Sequence, residues 1–217
     1  MARIARVIAP GLPHHVTQRG NRRQQTFFCD DDYQAYLALM TEWCAKCRVE
    51  IWAWCLMPTH VHLIAVPETE QGLARAIGEA HRRYTRRIND REGWRGHLWQ
   101  ERFASFPMDE PHLLAAARYV EMNPVAAGIV TRPEEYLWSS ARAHLAATDD
   151  ELTRVEPLLA LVGTWKHFLA APTEEEMATF RKHERTGRPL GHETFIGQIE
   201  QLHGRILRPQ KPGPKAK

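Results

Sequence analysis

The stretch that decides the fold is IWAWCLMPTHVHLIAV, Ile51 to Val66. Residues 50–57 are mostly bulky and apolar and read as a buried strand. Pro58-Thr59 makes a tight break, and residues 60–66 form the next strand. So short a connection favours an antiparallel hairpin. Side chains two apart on a strand share a face. Val61, Leu63 and Ala65 therefore point one way, and His60, His62 and Ile64 the other. Two neutral imidazoles on one face can share a divalent metal ion. They can equally be ordinary strand histidines, so residues elsewhere must decide.

Working outward, residues 14–19 read as a short strand closed by Gly20-Asn21. Asp30-Asp31-Asp32 supplies an N-cap for a helix. Its Tyr33, Tyr36, Leu37, Met40, Trp43, Cys44 and Cys47 fall at helical spacing. Residues 71–89 form a second helix with Leu73, Ile77, Ala80, Tyr84 and Ile88 as its apolar stripe. Arg82, Arg83, Arg86 and Arg87 lie largely opposite that stripe. Residues 101–108 follow as a strand. Glu110-Pro111 opens a third helix, which Pro124 should stop near Asn123. The order β-α-β-β-α-β-α predicts an α+β fold: a ferredoxin-like antiparallel sheet with helices packed on it. Composition shifts after residue 147. The expected division is a first unit over 1–147 and a small helical C-terminal extension over 148–217. In the extension, short helices are expected at 152–169, 173–185 and 192–203, followed by a basic tail.

With 217 residues, 43% hydrophobic and 25% charged, the chain suits one sizeable core and an appendage. No apolar run reaches membrane-spanning length, and the first residues lack the apolar segment of a signal peptide. A cytoplasmic address and no membrane partner are expected. Four cysteines in a chain this long do not make a secreted disulfide framework. Cys44-x-x-Cys47 has no second pair and reads as part of a helix core stripe. Net charge is only +3, but the basic residues cluster. Arg3, Arg6, Arg19, Arg22 and Arg23 precede the first acid, and the tail carries Arg205, Arg208, Lys211, Lys215 and Lys217. Such clusters suggest a local anionic track, or a set of solvated faces.

The third helix carries Arg118-Tyr119-Val120-Glu121-Met122-Asn123-Pro124. Tyr119 and Asn123 are four apart and share a helical face, offset from the Leu113/Ala117/Val120 stripe. A tyrosine beside a metal can act as a nucleophile. An Asn amide oxygen is a hard neutral donor that suits Mg²⁺ or Mn²⁺ beside imidazoles. Alternatively, Asn123 is a helix C-cap and Tyr119 is packing.

Four segments in order resemble the motifs of the REP-associated tyrosine transposases, of the single-tyrosine HUH transposase superfamily. They are Met57-Pro58-Thr59-His60-Val61-His62-Leu63, Leu98-Trp99-Gln100-Glu101-Arg102-Phe103, Arg118 through Val125, and Trp138-Ser139-Ser140. The resemblance spans roughly residues 14–144. Thr59 stands where the family often has Asn, a departure expected to touch no ligand. The resemblance implies a metal-dependent single-stranded DNA endonuclease and transposase acting at hairpin-forming repeats. His60, His62 and Asn123 would hold a divalent ion, Mg or Mn. Tyr119 would attack a DNA phosphate to give a 5′-phosphotyrosine link and a free 3′-hydroxyl. The implied partner is single-stranded or hairpin DNA. Charge makes Arg19, Arg22, Arg23, Arg82, Arg86 and Arg102 candidates for its phosphates, and Trp99 a candidate to stack on a base. For each of these a structural role is the alternative. The competing readings are a domesticated DNA-binding protein without cleavage and a metallohydrolase with Tyr119 as bystander. The hydrolase lacks an evident carboxylate base. Monomer and homodimer both remain open.

Overall fold

The computed structural model describes residues 4–169 and 174–209. Four strands, β1 (His14–Arg19), β2 (Val49–Met57), β3 (His60–Pro67) and β4 (Ala104–Pro107), form one sheet in the order β2-β3-β1-β4. Every pairing is antiparallel, which is the ferredoxin-like α+β arrangement expected. Helices α1 (Asp30–Cys47) and α2 (Gly72–Glu92) share the core with Val61, Leu63 and Ala65. Helix α3 (Glu110–Ala126) packs on the opposite face, over Cys55, Ile64 and Phe106.

Local chemistry explains most of these elements. The Pro58-Thr59 turn joins β2 to β3, with Met57 facing His60. Its carbonyls accept from Gly20 N–H and Thr26 N–H, both at 2.8 Å. A register shift between Ile51 and Ala53 makes Trp52 the extra residue of a bulge. Ile51 consequently packs with α1 and α2, while Ala53 packs under α3. Cys44 and Cys47 are buried in the α1 stripe as free thiols.

Two expectations about helix ends need correction. Cys29, not the aspartates, is the N-cap of α1, and Asp30, Asp31 and Asp32 occupy the first turn. There they still meet the positive end of the helix dipole. Asp32 is buried, accepts from Phe28 N–H at 2.9 Å and grips Arg91 of α2 with both oxygens, at 2.6 and 3.1 Å. Helix α3 does not stop at Asn123 but carries Pro124 inside and ends at Ala126. Proline lacks only its own N–H, and so near the helix end one missing bond is tolerated. Ala127 N–H to Asn123 O and Ile129 N–H to Pro124 O, both 2.9 Å, close the last turn.

Past α4 (Ala141–Ala146), the chain returns to the sheet. Thr153 bridges to Ile51, and short helices α5 (Glu156–Leu159) and α6 (Trp165–Phe168) follow. Helix α7 (Glu174–Thr186) lies against β4 and α3, and Leu190 bridges to Met108. Helix α8 (Glu193–His203) packs through Ile199 on Val7 and Ala9. Arg205 donates to the carbonyls of Ala5 and Arg6, and Arg208 pairs with Glu193. These two arginines thus serve the fold, whereas Lys211, Lys215 and Lys217 lie outside the described residues. Among the described residues no helix is long and apolar enough to cross a membrane.

The Asp32–Arg91 clasp is testable. Burial alone would raise the Asp32 pKa, but Arg91 and the Phe28 N–H hold it below the ordinary aspartate value. Its stabilisation is therefore complete above that ordinary value and is lost as pH falls through the lowered folded one. Arg91→Ala should cost about 2 kcal/mol at pH 7, less than a fully buried pair because Arg91 is partly exposed. In urea titrations the gap from wild type should shrink below about pH 4. A gap that stays constant with pH would assign the loss to packing alone.

Candidate active site

Strand β3 presents His60 and His62 to the α3 side of the sheet, ring centroids 4.9 Å apart. His60 begins the strand, and its Nδ1 meets Thr59 Oγ1 at 3.0 Å. Thr59 therefore does touch a proposed ligand, because the turn folds its hydroxyl onto the neighbouring ring. His62 is only 2% exposed. Its Nδ1 meets Nε2 of His15 on β1 at 3.1 Å, and its Nε2 has no hydrogen-bond partner. From α3, the Tyr119 ring stands edge-on to His62 at 5.3 Å and stacks on Phe180 of α7. Tyr119, Asn123 and His60 line one cavity of about 990 Å³. Arg19, Arg23 and Arg102 line it from the sheet side, and Arg181, Glu184 and Arg185 of α7 from the other.

Burial sets the protonation of the site. His60 is lowered to about 4 by desolvation, with Arg19 adding to the effect. His15 is lowered to about 3 by desolvation, and His62 falls well below the ordinary value for the same reason, with His60 and His15 adding to it. All three imidazoles are thus neutral at pH 7, the form that ligates metals. Burial also lifts the Tyr119 phenol to about 12, reinforced by Glu184 and opposed by Arg181, Asn123 and Arg19. Unaided, that phenol keeps its proton at neutral pH. Glu184 is raised to about 7 by desolvation against the pull of Arg19 and Arg181. His60 and the Asn123 amide line the cavity, and the adjoining buried His62 has an unpartnered nitrogen; neutral imidazoles and an amide are a donor set that suits a divalent cation. Among the described residues, His15, His62 and Glu184 also bring potential ligand atoms within 4.8 Å of one another.

The other candidates separate. Arg22 is exposed next to the cavity-lining Arg23. Arg82, paired with Glu79 at 2.6 Å, borders a second hollow of about 430 Å³ that shares Gln18, Glu101 and Arg102 with the first. Arg86 is exposed, pairs with Asp90 at 3.5 Å and lines neither hollow. Trp99 needs correction: it is buried with its ring lying on His81 at 4.6 Å, so it is a core residue rather than an open platform for a base. Sequence reasoning placed His15 on a strand but missed its contact with His62, because only the β1–β3 pairing sets the two diagonally across from each other. Glu184, Arg181 and Arg185 sit on α7 in no recognisable motif.

Behind the site lies a buried carboxylate. Glu121, two residues after Tyr119, accepts from Ser140 Oγ at 2.5 Å, His144 Nδ1 at 2.7 Å and Trp165 Nε1 at 2.8 Å. Ser140 N–H also donates to Trp54 O at 3.0 Å, and Ser139 bridges to Cys55. The Trp138-Ser139-Ser140 segment therefore clamps α3 to β2, which explains why it accompanies the tyrosine helix.

The profile of the family described as transposase, IS200 like, matches residues 10–123. That is more than half of the chain, which therefore belongs to the IS200-like transposase family, whose members cleave and join DNA. In fold the chain is similar to a REP-associated tyrosine transposase solved bound to a REP hairpin. The two are 22% identical with a TM-score of 0.59, over 71% of this chain and 92% of that one. A putative transposase from Deinococcus radiodurans R1 is 21% identical over 55% of this chain and 95% of its own, with a TM-score of 0.39. No curated protein matches.

Glu121→Ala should strip three buried donors of their acceptor and cost about 3 kcal/mol or more in denaturant unfolding. Ser140→Ala should cost about 1 kcal/mol. Equal and negligible losses would show that the network does not hold α3.

Proposed function

We propose that this protein is a REP-associated tyrosine transposase that cleaves and rejoins single-stranded DNA at hairpin-forming repeats in the cytoplasm. The observation that carries this reading is the meeting of Tyr119, Asn123 and His60 on one arginine-lined cavity, with the unpartnered His62 against the phenol. Arg19, Arg23 and Arg102 hold the DNA backbone. The Tyr119 oxygen attacks a phosphorus. The bond from that phosphorus to the 3′-oxygen breaks, the phenolic proton passes to solvent, and the departing 3′-oxygen takes up a proton from solvent. The products are a 5′-phosphotyrosine and a free 3′-hydroxyl. One phosphoester replaces another, so no nucleoside triphosphate is consumed. His60, His62 and Asn123 would hold a divalent ion, Mg²⁺ or Mn²⁺, whose chemistry is to polarise a non-bridging phosphate oxygen. Tyr119 and His62 of the same chain are in contact, which supports action in cis by one subunit. In this reading residues 1–147 carry the chemistry, and the extension 148–217 contributes α7 as one wall of the cavity.

Incubation with labelled single-stranded hairpin DNA and Mg²⁺ or Mn²⁺, followed by denaturing electrophoresis, should show a covalent protein–DNA adduct. Tyr119→Phe should abolish it. His60→Ala should abolish cleavage while keeping most of the DNA affinity, since phosphate contacts supply most binding. Cleavage without an adduct would point to a metallohydrolase, and tight binding without cleavage to a DNA-binding protein only. Arg23→Ala should lower the slope of log affinity against log salt by about one. An unchanged slope would remove Arg23 from the DNA track.

A further inference from the structure

We infer that His15 and Glu184 form a second layer of the metal centre. In this layer the His15 imidazole, bonded to His62 Nδ1, and the Glu184 carboxylate, whose Oε1 lies 3.9 Å from Nδ1 of both rings, fix His62 in the tautomer that leaves Nε2 open to the ion. This rests on the metal reading above and deepens it. The His15 and His62 rings lie in parallel planes, 4° apart in tilt, with centroids offset at 5.3 Å and the His15 Nε2 to His62 Nδ1 contact at 3.1 Å. That contact has the length of an N–H···N hydrogen bond between the two imidazoles.

One proton sits in that bond, and its owner can be deduced. Were His15 Nε2 the donor, neutral His62 would carry its proton on Nε2. That N–H would be buried with no acceptor, because His62 Nε2 has no partner. His15 would then turn the lone pair of Nδ1 toward Glu184 Oε1, 3.9 Å away, a repulsive contact when that carboxyl is ionised. Both ends would be unfavourable. With His62 Nδ1–H as donor, both ends improve. His62 Nε2 keeps a lone pair for a cation. His15 Nδ1, which also has no hydrogen-bond partner, carries a proton 3.9 Å from Glu184 Oε1, where attraction to the ionised carboxylate is electrostatic. His15 is fully buried, and the rings of Phe106, Phe180 and Tyr119 stand edge-on around it, so it cannot turn away.

An ion bound directly by His15, His62 and Glu184 is the rival arrangement. The His62 nitrogen nearest Glu184 is Nδ1, and that atom is already engaged by His15 Nε2 at 3.1 Å, so such an ion would have to break this contact. His15 and Glu184 are therefore positioning residues. Ligating histidines in general donate their second ring N–H to such a partner, and loss of the partner weakens metal affinity about 10–100-fold. Because Glu184 comes from α7, seating of the C-terminal extension reaches the metal centre.

Two readouts test this. In long-range ¹H–¹⁵N spectra of the metal-free, full-length protein with labelled histidine, His62 and His15 should both be Nδ1-protonated. A His62 proton on Nε2 overturns this arrangement whatever the metal does. In calorimetry with MnCl₂ alone, His15→Phe keeps the ring volume but cannot accept, and should bind about 10–100-fold more weakly than wild type. His15→Gln can accept through its amide oxygen and should recover part of the loss. Glu184→Gln should weaken binding by a smaller factor. Should His15→Phe fail to fold by circular dichroism, His15→Gln, Glu184→Gln and the spectra still decide. Unchanged affinity in the His15 and Glu184 variants overturns this inference alone. A loss in His15→Phe as complete as in His60→Ala makes His15 a ligand and also overturns it. A wild-type protein that takes up no Mn²⁺ overturns the metal reading and this one together.

Discussion

The antiparallel ladder between β1 and β3 is the constraint on which the site depends. It sets His15 against Ile64, Thr17 against His62 and Arg19 against His60. Strand side chains alternate, so a slip of one residue would turn both imidazoles into the α1/α2 core. Val16 opposes that slip, because it is fully buried in the same cluster as Val61 and Leu63. His15, its neighbour, is locked on the other face by Phe106. The end of the ladder is pinned by Gly20, whose N–H bonds the turn carbonyl of Thr59. A Cβ there would collide with the Gln24 carbonyl, so only glycine allows the chain to fold that closely over the turn.

A nucleophile needs a support as fixed as its target. Tyr119, the proposed nucleophile, obtains it from Glu121, a carboxylate with no solvent exposure. Burying that charge is unfavourable unless its acceptor sites are filled. Here the donors come from α4 with its preceding residue and from α6, three points on chain that follows the helix they hold. The tyrosine helix is thus fixed to β2 and to the extension at once. Trp165 and Glu184 tie residues beyond 147 into the same layer as the site, although nothing in their local sequence announces it.

The parts legible in the sequence were those governed by local period. The His60/His62 face follows from strand alternation, and the Tyr119/Asn123 face from helical spacing. The two stripes that cover the sheet followed in the same way. What failed were contacts made through space. The Trp99 indole is drawn into the core by His81, and Thr59 is folded back on His60 by the hairpin. Pro124 read as a helix stop because the rule for the residue before proline is statistical. Near the end of α3 the missing N–H costs a single bond, and packing of the helix outweighs it. His15 and Glu184 are 169 residues apart in number, 15 against 184, and only the folded sheet with α7 on it brings them together.

Charge explains how one cavity can attract an anion and still suit a cation. The chain carries little net charge, yet five arginines line this cavity. Arg19 acts twice: it faces the space a phosphate would fill, and its charge helps keep His60 deprotonated. Desolvation does the larger share of that work, and it acts on all three imidazoles in the same direction. A histidine pair exposed on a flat strand would titrate near neutrality and compete for protons with any ion. Covering the pair with α3 and α7 removes that competition, and it leaves His62 Nε2 with an unmet need that a solvated imidazole would satisfy with water. The same cover holds the Tyr119 phenol protonated, so the burial that keeps the imidazoles neutral also keeps the proposed nucleophile in its unreactive form.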